Sequence, residues 1–266
     1  MISLSHIWLY PIKSCQPLAV RHAQVQPRGL EHDRRWLLVD ADGRFITGRK
    51  LGKLVLLRAQ PNADGGLSLS GPGLPALRVA IPDGKARRSV RVWKDQVDAA
   101  SVAASVNASL SSWLGCSVAL VHMDALAHRA ADQLPGRASS EVSFADGFPL
   151  LLISQASLDL LNSKLPHAVP ITRFRPNLLV TGCGAHDEDR WRRVRVGNVE
   201  FDLVKDCVRC VFTTVDPETG GRDPLGEPLK TLISYRRGAK GVTFGMNLIA
   251  RGAGSIAVGD SLQLLE

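Results

Sequence analysis

Aromatic residues are scarce. Phe, Trp and Tyr make up 5% of the 266 residues, so the core must be packed chiefly by Leu, Val, Ile and Ala. No apolar run approaches the ~20 residues that a helix needs to cross a bilayer. Met1–Leu9 is too short for the apolar stretch of a signal peptide and reads as a first strand. Cysteine is sparse and odd in number: Cys15, Cys116, Cys183, Cys207 and Cys210. That irregular set does not make a secreted disulfide framework, so a reduced, cytoplasmic protein is expected. No His-x-x-x-His pair, P-loop, Gly-x-Gly-x-x-Gly or nucleophile elbow occurs, which removes the commonest zinc-hydrolase, nucleotide and serine-hydrolase signatures. Internal repeats and low-complexity tracts are missing too. Acidic residues number 25 against 33 basic ones, a formal charge of +8, which favours an anionic partner. The cations fall in short groups such as Lys85-Ala86-Arg87-Arg88 and Arg190-Trp191-Arg192-Arg193, without a basic arm or a nucleic-acid motif.

Composition is otherwise that of a soluble globular chain, 45% hydrophobic and 22% charged, long enough to bury a core without metal or disulfide staples. The first hundred residues read as short strands: Ser3–Leu9, Val20–Gln26, Trp36–Val39, Leu54–Arg58, Leu67–Ser70, Leu77–Ile81 and Val90–Trp93. Turn signals such as Asp42-Gly43 and Asp64-Gly65-Gly66 separate them, which suggests a barrel or sandwich. A helix is predicted over Val102–Leu114 and a strand over Val118–His122. The polar, Pro/Gly-containing stretch Asp124–Val142 then marks a boundary between units over 1–123 and 124–266. Ser154 opens an amphipathic helix to Leu165 as its N-cap. Strands follow over Asn177–Thr181, Val194–Val196, Val199–Val204 and Cys210–Val215, then a helix over Pro228–Tyr235. Strands over Thr243–Ala250 and Ser255–Leu265 close the chain. The fold class is β-rich α+β.

Chemistry is concentrated in a few places. Cys207-Val208-Arg209-Cys210 supports three readings. It is half of a zinc site completed by Cys183 and His186, a redox pair, or a single functional thiol, with two buried small hydrophobes as the structural alternative. A redox pair belongs at a helix start, whereas Val211–Val215 reads as strand. In an extended chain, positions three apart face opposite sides, so one thiol is expected in any given pocket. Arg209 beside the thiols favours the metal-binding thiolate. Thr213-Thr214 precedes an Asp-Pro turn and is explained by β propensity alone. Lys13-Ser14 suits a phosphate, but such a pair is more often loop surface. Arg173 and Arg175 stand at a strand entrance, where Arg175 can grip an anion bidentately.

In their order these segments resemble the MOSC superfamily. The resemblance is carried by Tyr10-Pro-Ile-Lys-Ser-Cys15, Asp33-Arg-Arg-Trp-Leu37, Phe45-Ile-Thr-Gly-Arg49, Ser154-Gln-Ala-Ser-Leu158, Phe174-Arg-Pro-Asn177, Cys207-Val-Arg-Cys-Val-Phe-Thr-Thr-Val-Asp-Pro217 and Phe244-Gly-Met-Asn247. It extends end to end to the amidoxime-reducing components of mitochondria and their bacterial relatives. The resemblance implies an N-terminal β-barrel-like domain, a MOSC domain (a β-barrel with flanking helices) and a site in the cleft between them. The implied cofactor is a molybdenum–molybdopterin whose metal is ligated by Cys210. Lys13, Ser14, Arg34, Arg175 and Asn177 match its further contacts, and the Asp146-Gly147-Phe148 loop, Thr213 and Asn247 match the lining of the same pocket. Cys207 is then a packing residue. The implied activity is reduction of N-hydroxylated compounds (amidoximes, hydroxylamines, N-hydroxylated bases) without pyridoxal phosphate. Electrons come from an external flavoprotein, ferredoxin or b-type cytochrome. A cofactor or persulfide carrier without turnover is the alternative. Val208 stands where the family often has serine, and Asn247 where some members have an aromatic residue. The membrane anchor of the mitochondrial proteins and the ferredoxin domain of some bacterial ones are expected to be absent.

Overall fold

A computed structural model describes residues 1–133 and 140–266. Of the predicted boundary stretch Asp124–Val142, residues 134–139 therefore lie outside the described residues. The described residues are β-rich, with four sheets and three α-helices, Ala104–Leu114, Gln155–Asn162 and Leu229–Arg236. No helix among the described residues is long and apolar enough to cross a membrane.

The largest sheet runs, edge to edge, through Leu262–Leu264, Arg193–Val196, Val199–Val208, Gly241–Ala250, Leu150–Ser154, Leu178–Thr181, Ser3–Leu9 and Leu18–Val20. All these pairs are antiparallel except Leu150–Ser154 with Leu178–Thr181. That parallel pair needs a crossover, and the Gln155–Asn162 helix lies within it. Its N-cap is Ser154, whose hydroxyl accepts the Ser157 N–H at 3.1 Å; the helix ends at Asn162, short of the predicted Leu165. A four-stranded sheet (Trp36–Val39, Ala119–His122, Asp95–Ser101, Arg87–Val92) and a three-stranded one (Arg58–Pro61, Leu67–Gly71, Leu74–Val79) lie wholly before residue 123. By contrast, residues 3–30 pair with strands beyond residue 150: Ser3–Leu9 with Leu178–Thr181, and His22–Gln26 with Gly254–Ala257. Among the described residues none of the sheets closes into a barrel; a bridge from Ser3 to Ser261 brings the first strand near the last.

Packing follows that interleaving. Leu4, Ile7, Val25 and Leu30 are buried in one cluster with Leu152, Val194, Phe201 and Leu248. A second cluster gathers Trp36, Leu54, Leu69, Leu110 and Leu120. The segment from Tyr10 to Cys15 leaves the first cluster's sheet and ends in the second core, where Ile12 and Cys15 are fully buried. It is one of the covalent links between the two cores.

Three expectations are corrected. Gly52–Leu56 is a 3-10 turn rather than a strand, and its Leu54 and Val55 are buried all the same. Burial, not extension, is what their apolar character reports. Leu150–Ser154, not foreseen as a strand, is buried at all five positions, so it lacks the alternation that betrays a half-exposed strand. Val211–Thr214 is a 3-10 turn in place of the predicted Cys210–Val215 strand. Thr213 and Thr214 turn their hydroxyls back onto the carbonyls three residues earlier, Cys210 at 3.0 Å and Val211 at 2.8 Å. Such local bonds compete with a sheet ladder and outweigh β propensity here.

Candidate active-site cleft

Strand ends and turns from both halves converge on one cleft. Lys13, Ser14, Arg34, Arg175, Asn177, Cys210, Thr213 and Asn247 all line it. Three of them hold non-glycine residues in left-handed backbone: Ser14 at φ 70°, Arg34 at 50° and Arg175 at 57°. Such conformations concentrate where surrounding structure imposes them for function.

The chain enters through Tyr10. Its N–H donates to Asp33 Oδ1 at 2.8 Å and its hydroxyl to the Pro176 carbonyl at 3.0 Å. Burial pushes the phenol's pKa well up, so it remains a donor. The guanidinium carbons of Arg34 and Arg175 lie 4.3 and 4.1 Å from its ring centre. Arg34 is rigidly held, its Nη1 donating to Asp33 Oδ2 at 2.6 Å and Asn177 Oδ1 at 3.0 Å, and its Nη2 to the Arg175 carbonyl. Asn177 is buried and its amide is fully engaged, since it also takes the Leu151 N–H and donates to the Trp8 carbonyl. It therefore lines the cleft as the knot that fixes Arg34.

Arg175 is different. Pro176 disfavours a helical residue before it, so the Ile171–Phe174 turn stops with Arg175 in the left-handed region, its N–H on the Thr172 carbonyl. The side chain stacks on Tyr10 and Phe212 but makes no hydrogen bond to protein among the described residues, and its Nη2 is buried without a partner. Burial lowers its pKa to about 10, still cationic at neutral pH. Arg173 is committed elsewhere, donating to the Thr214 carbonyl and Asp216 and so pinning the turn that follows Cys210.

The cysteines sit at the end of the Val199–Val208 strand, which shifts register twice against Gly241–Ala250 just before them. Such bulges re-aim side chains next to sites. Asn247 steadies this stretch by donating to the Lys205 carbonyl at 3.1 Å. The bend places both Cys207 and Cys210 on the cleft, against the expectation that only one would face it. Cys210 is exposed and Cys207 half-buried. The cation assignment is corrected too. Arg209 donates to Cys207 Sγ at 2.8 Å and to the Phe174 carbonyl, while the guanidinium approaching Cys210 Sγ, at 4.0 Å, is that of Arg49. Cys183 and His186 do not line the cleft, and no group of three or more His, Cys, Asp or Glu side chains suited to a metal occurs among the described residues. The four-ligand zinc arrangement is not assembled.

The opposite wall is the 143–148 segment. Lys13 Nζ donates to the Phe144 carbonyl at 2.7 Å and to the exposed Asp146 carboxylate at 2.5 Å. Arg129 donates to the carbonyls of Ser143, Ala145 and Asp146, so two buried cations grip this wall from behind. Ser14 also lines the cleft, its hydroxyl without a protein partner among the described residues. Burial lowers Lys13 to about 8; below that pH it is charged and neutralises Asp146, above it Asp146 stands uncompensated. Anion binding in the cleft is therefore expected to weaken as pH rises through about 8 and to lose that pH dependence in Lys13→Met, as read by calorimetric titration of inorganic phosphate.

Sequence reasoning overlooked Arg49 as a site residue, although its motif was recognised. Two glycines mark its importance. A Cβ on Gly48 would lie 2.6 Å from the Phe212 ring, and one on Gly52 2.0 Å from the Gly220 carbonyl oxygen. Gly52→Ala is expected to cost about 1–3 kcal/mol, the range for overpacking, visible as a lowered Tm.

Lys13, Arg34, Arg49, Arg173, Arg175 and Arg209 thus face a single lining carboxylate, Asp146. Fold and site define a β-rich protein with a cation-lined cleft beside an exposed thiol. The MOSC N-terminal beta barrel domain matches residues 1–117, and the MOSC domain residues 139–263. Mitochondrial amidoxime-reducing component 1 of Mus musculus is 35% identical over 281 aligned positions, covering 99% of this chain and 82% of that protein. The Homo sapiens counterpart is 33% identical, covering 99% and 83%, and component 2 of Rattus norvegicus is 35% identical, covering 97% and 82%. The chain belongs to the MOSC family, with the amidoxime-reducing components as relatives.

Proposed function

We propose that the protein is a molybdenum-cofactor oxidoreductase that reduces N-hydroxylated compounds, with electrons from an external redox protein. The observation that carries the reading is Arg175, a half-buried cation with a buried, unpartnered nitrogen on the same cleft as the exposed Cys210 thiol. An anionic pterin phosphate suits the first, and a soft metal suits the second. The kinship with amidoxime-reducing components supports the substrate class.

Cys210 would hold the metal, kept in place by the Thr213 and Arg173 bonds that brace its turn. Arg175 and Ser14, whose polar groups are free of the protein, would bind the anionic end. Lys13 and Arg34, already engaged by Asp146, Asp33 and Asn177, shape and charge the walls instead. The bound cofactor supplies the removal of the substrate's oxygen by a two-electron change; an amidoxime, two electrons and two protons yield an amidine and water. On this reading the cleft is walled by residues from both 1–123 and 124–266.

The test is reduction of benzamidoxime by cofactor-loaded protein with reduced methyl viologen as electron source. Benzamidine is expected, with two viologens oxidised per molecule formed. Full molybdenum loading without any benzamidine would overturn the reductase reading and leave a cofactor carrier.

A further inference from the structure

Arg49 Nη1 approaches the Cys210 sulfur at 4.0 Å, yet no carboxylate lies within ion-pair distance of Arg49 among the described residues. Its backbone is tethered by Arg222, which donates to the Arg49 carbonyl. Its guanidinium carbon lies 4.6 Å from the ring centre of Trp93. Trp93 itself is unusual. It occupies the first position of the two-residue loop between Arg87–Val92 and Asp95–Ser101, at φ 57°, where glycine is the normal choice in a hairpin. A bulky indole there is strained, and it is 44% exposed. The indole N–H donates to Asp146 Oδ1 at 3.1 Å, the oxygen that also receives Lys13, and Phe45 packs on its ring. The indole thus sits over Arg49 while bonded to the cleft wall. Stacking on an aromatic face restrains a guanidinium and leaves its charge available.

We infer that Trp93 positions Arg49 to present a positive charge at the Cys210 sulfur, and that this charge selects, at the reacting position, a ligand group with an electron-rich oxygen. The inference rests on Cys210 as the reaction centre and adds a specificity-determining pair, one member of which lies on the hairpin tip of the other half of the molecule. Arg49 touches the reacting atoms; Trp93 acts through it. An N–OH oxygen or an oxyanion is favoured beside Cys210, and a cationic group there is disfavoured.

The experiment uses protein without cofactor, so that its outcome is independent of molybdenum chemistry. Rates of alkylation at Cys210 are measured by peptide-resolved mass spectrometry with iodoacetate and with iodoacetamide at one pH. Thiolate fraction and accessibility affect both reagents, so their ratio reports local charge. Cys116, exposed elsewhere, is the internal control. Arg49→Gln is expected to lower the iodoacetate-to-iodoacetamide ratio at Cys210 about five-fold, the effect of one charge at about 4 Å in water. The Cys116 ratio should not move. Arg49→Lys and Trp93→Phe should keep most of the ratio, and Trp93→Ala should lose it. An unchanged ratio in Arg49→Gln overturns the charge assignment, and an unchanged ratio in Trp93→Ala overturns the positioning role. A fall in the ratio in a protein that binds no molybdenum would retain the pair and remove the cofactor reading.

Discussion

Cys210→Ala is expected to bring amidoxime reduction down to background, while Cys207→Ala leaves a measurable fraction. The two thiols share a cleft but differ in surroundings. Cys210 is exposed, its carbonyl clasped by Thr213 so that its side chain stands at the start of a tight turn. Cys207 is half-buried, packs against the cluster around Phe174 and Phe244, and accepts from Arg209. Removing Cys207 takes an acceptor from Arg209 and is expected to cost on the order of ten-fold, the scale of a lost outer contact to a metal site. Cys207→Ser, which keeps an acceptor, should recover most of it. Initial rates per mole of protein, with molybdenum content measured alongside, separate these outcomes; equal losses at both positions would mean that neither thiol is privileged.

Asn177→Ala carries the second large effect, on stability rather than chemistry. One buried amide joins three elements: it accepts from Arg34 and from the Leu151 N–H, and donates to the Trp8 carbonyl. Those two backbone groups belong to separate regions of the largest sheet, and Arg34 belongs to the preceding turn. At about 1 kcal/mol for each lost bond, and more where a buried charge loses an acceptor, a destabilisation of about 3–4 kcal/mol is expected in urea unfolding. Freed from Asn177, Arg34 should also hold its charge on the cleft wall less firmly. A loss under about 1 kcal/mol would show that the knot is redundant.

Much of the site was legible from motifs because its residues come in short strings that remain intact in space: Lys13-Ser14, Arg34, Arg175 with Asn177, and Cys210 with Thr213 all reach one cleft. The division of labour among them was not. A motif records that Asn177, Thr213 and Asn247 are present; only the fold shows that their polar atoms face protein, whereas Arg175 is left free. Arg209 looked like the partner of Cys210 because it is adjacent in sequence. Yet the bulged strand end turns it to Cys207, and Arg49 arrives from 161 positions away. Secondary structure failed where one signal has two causes. Val211–Thr214 has strand-forming residues whose hydroxyls close a turn, and Leu150–Ser154 is buried on both faces and shows no period. Helix ends with local chemistry were easier, as at Gly115, whose left-handed backbone and bond to Ser111 end the Ala104–Leu114 helix at the predicted Leu114.

The most direct measurement is the molybdenum content of protein expressed with molybdate, beside Cys210→Ala prepared in the same way. Near-stoichiometric molybdenum in the parent and only traces in the variant is the result expected if Cys210 ligates the metal in the Arg175 cleft. Molybdenum retained in full by the variant, or stoichiometric zinc with no molybdenum in the parent, would contradict it.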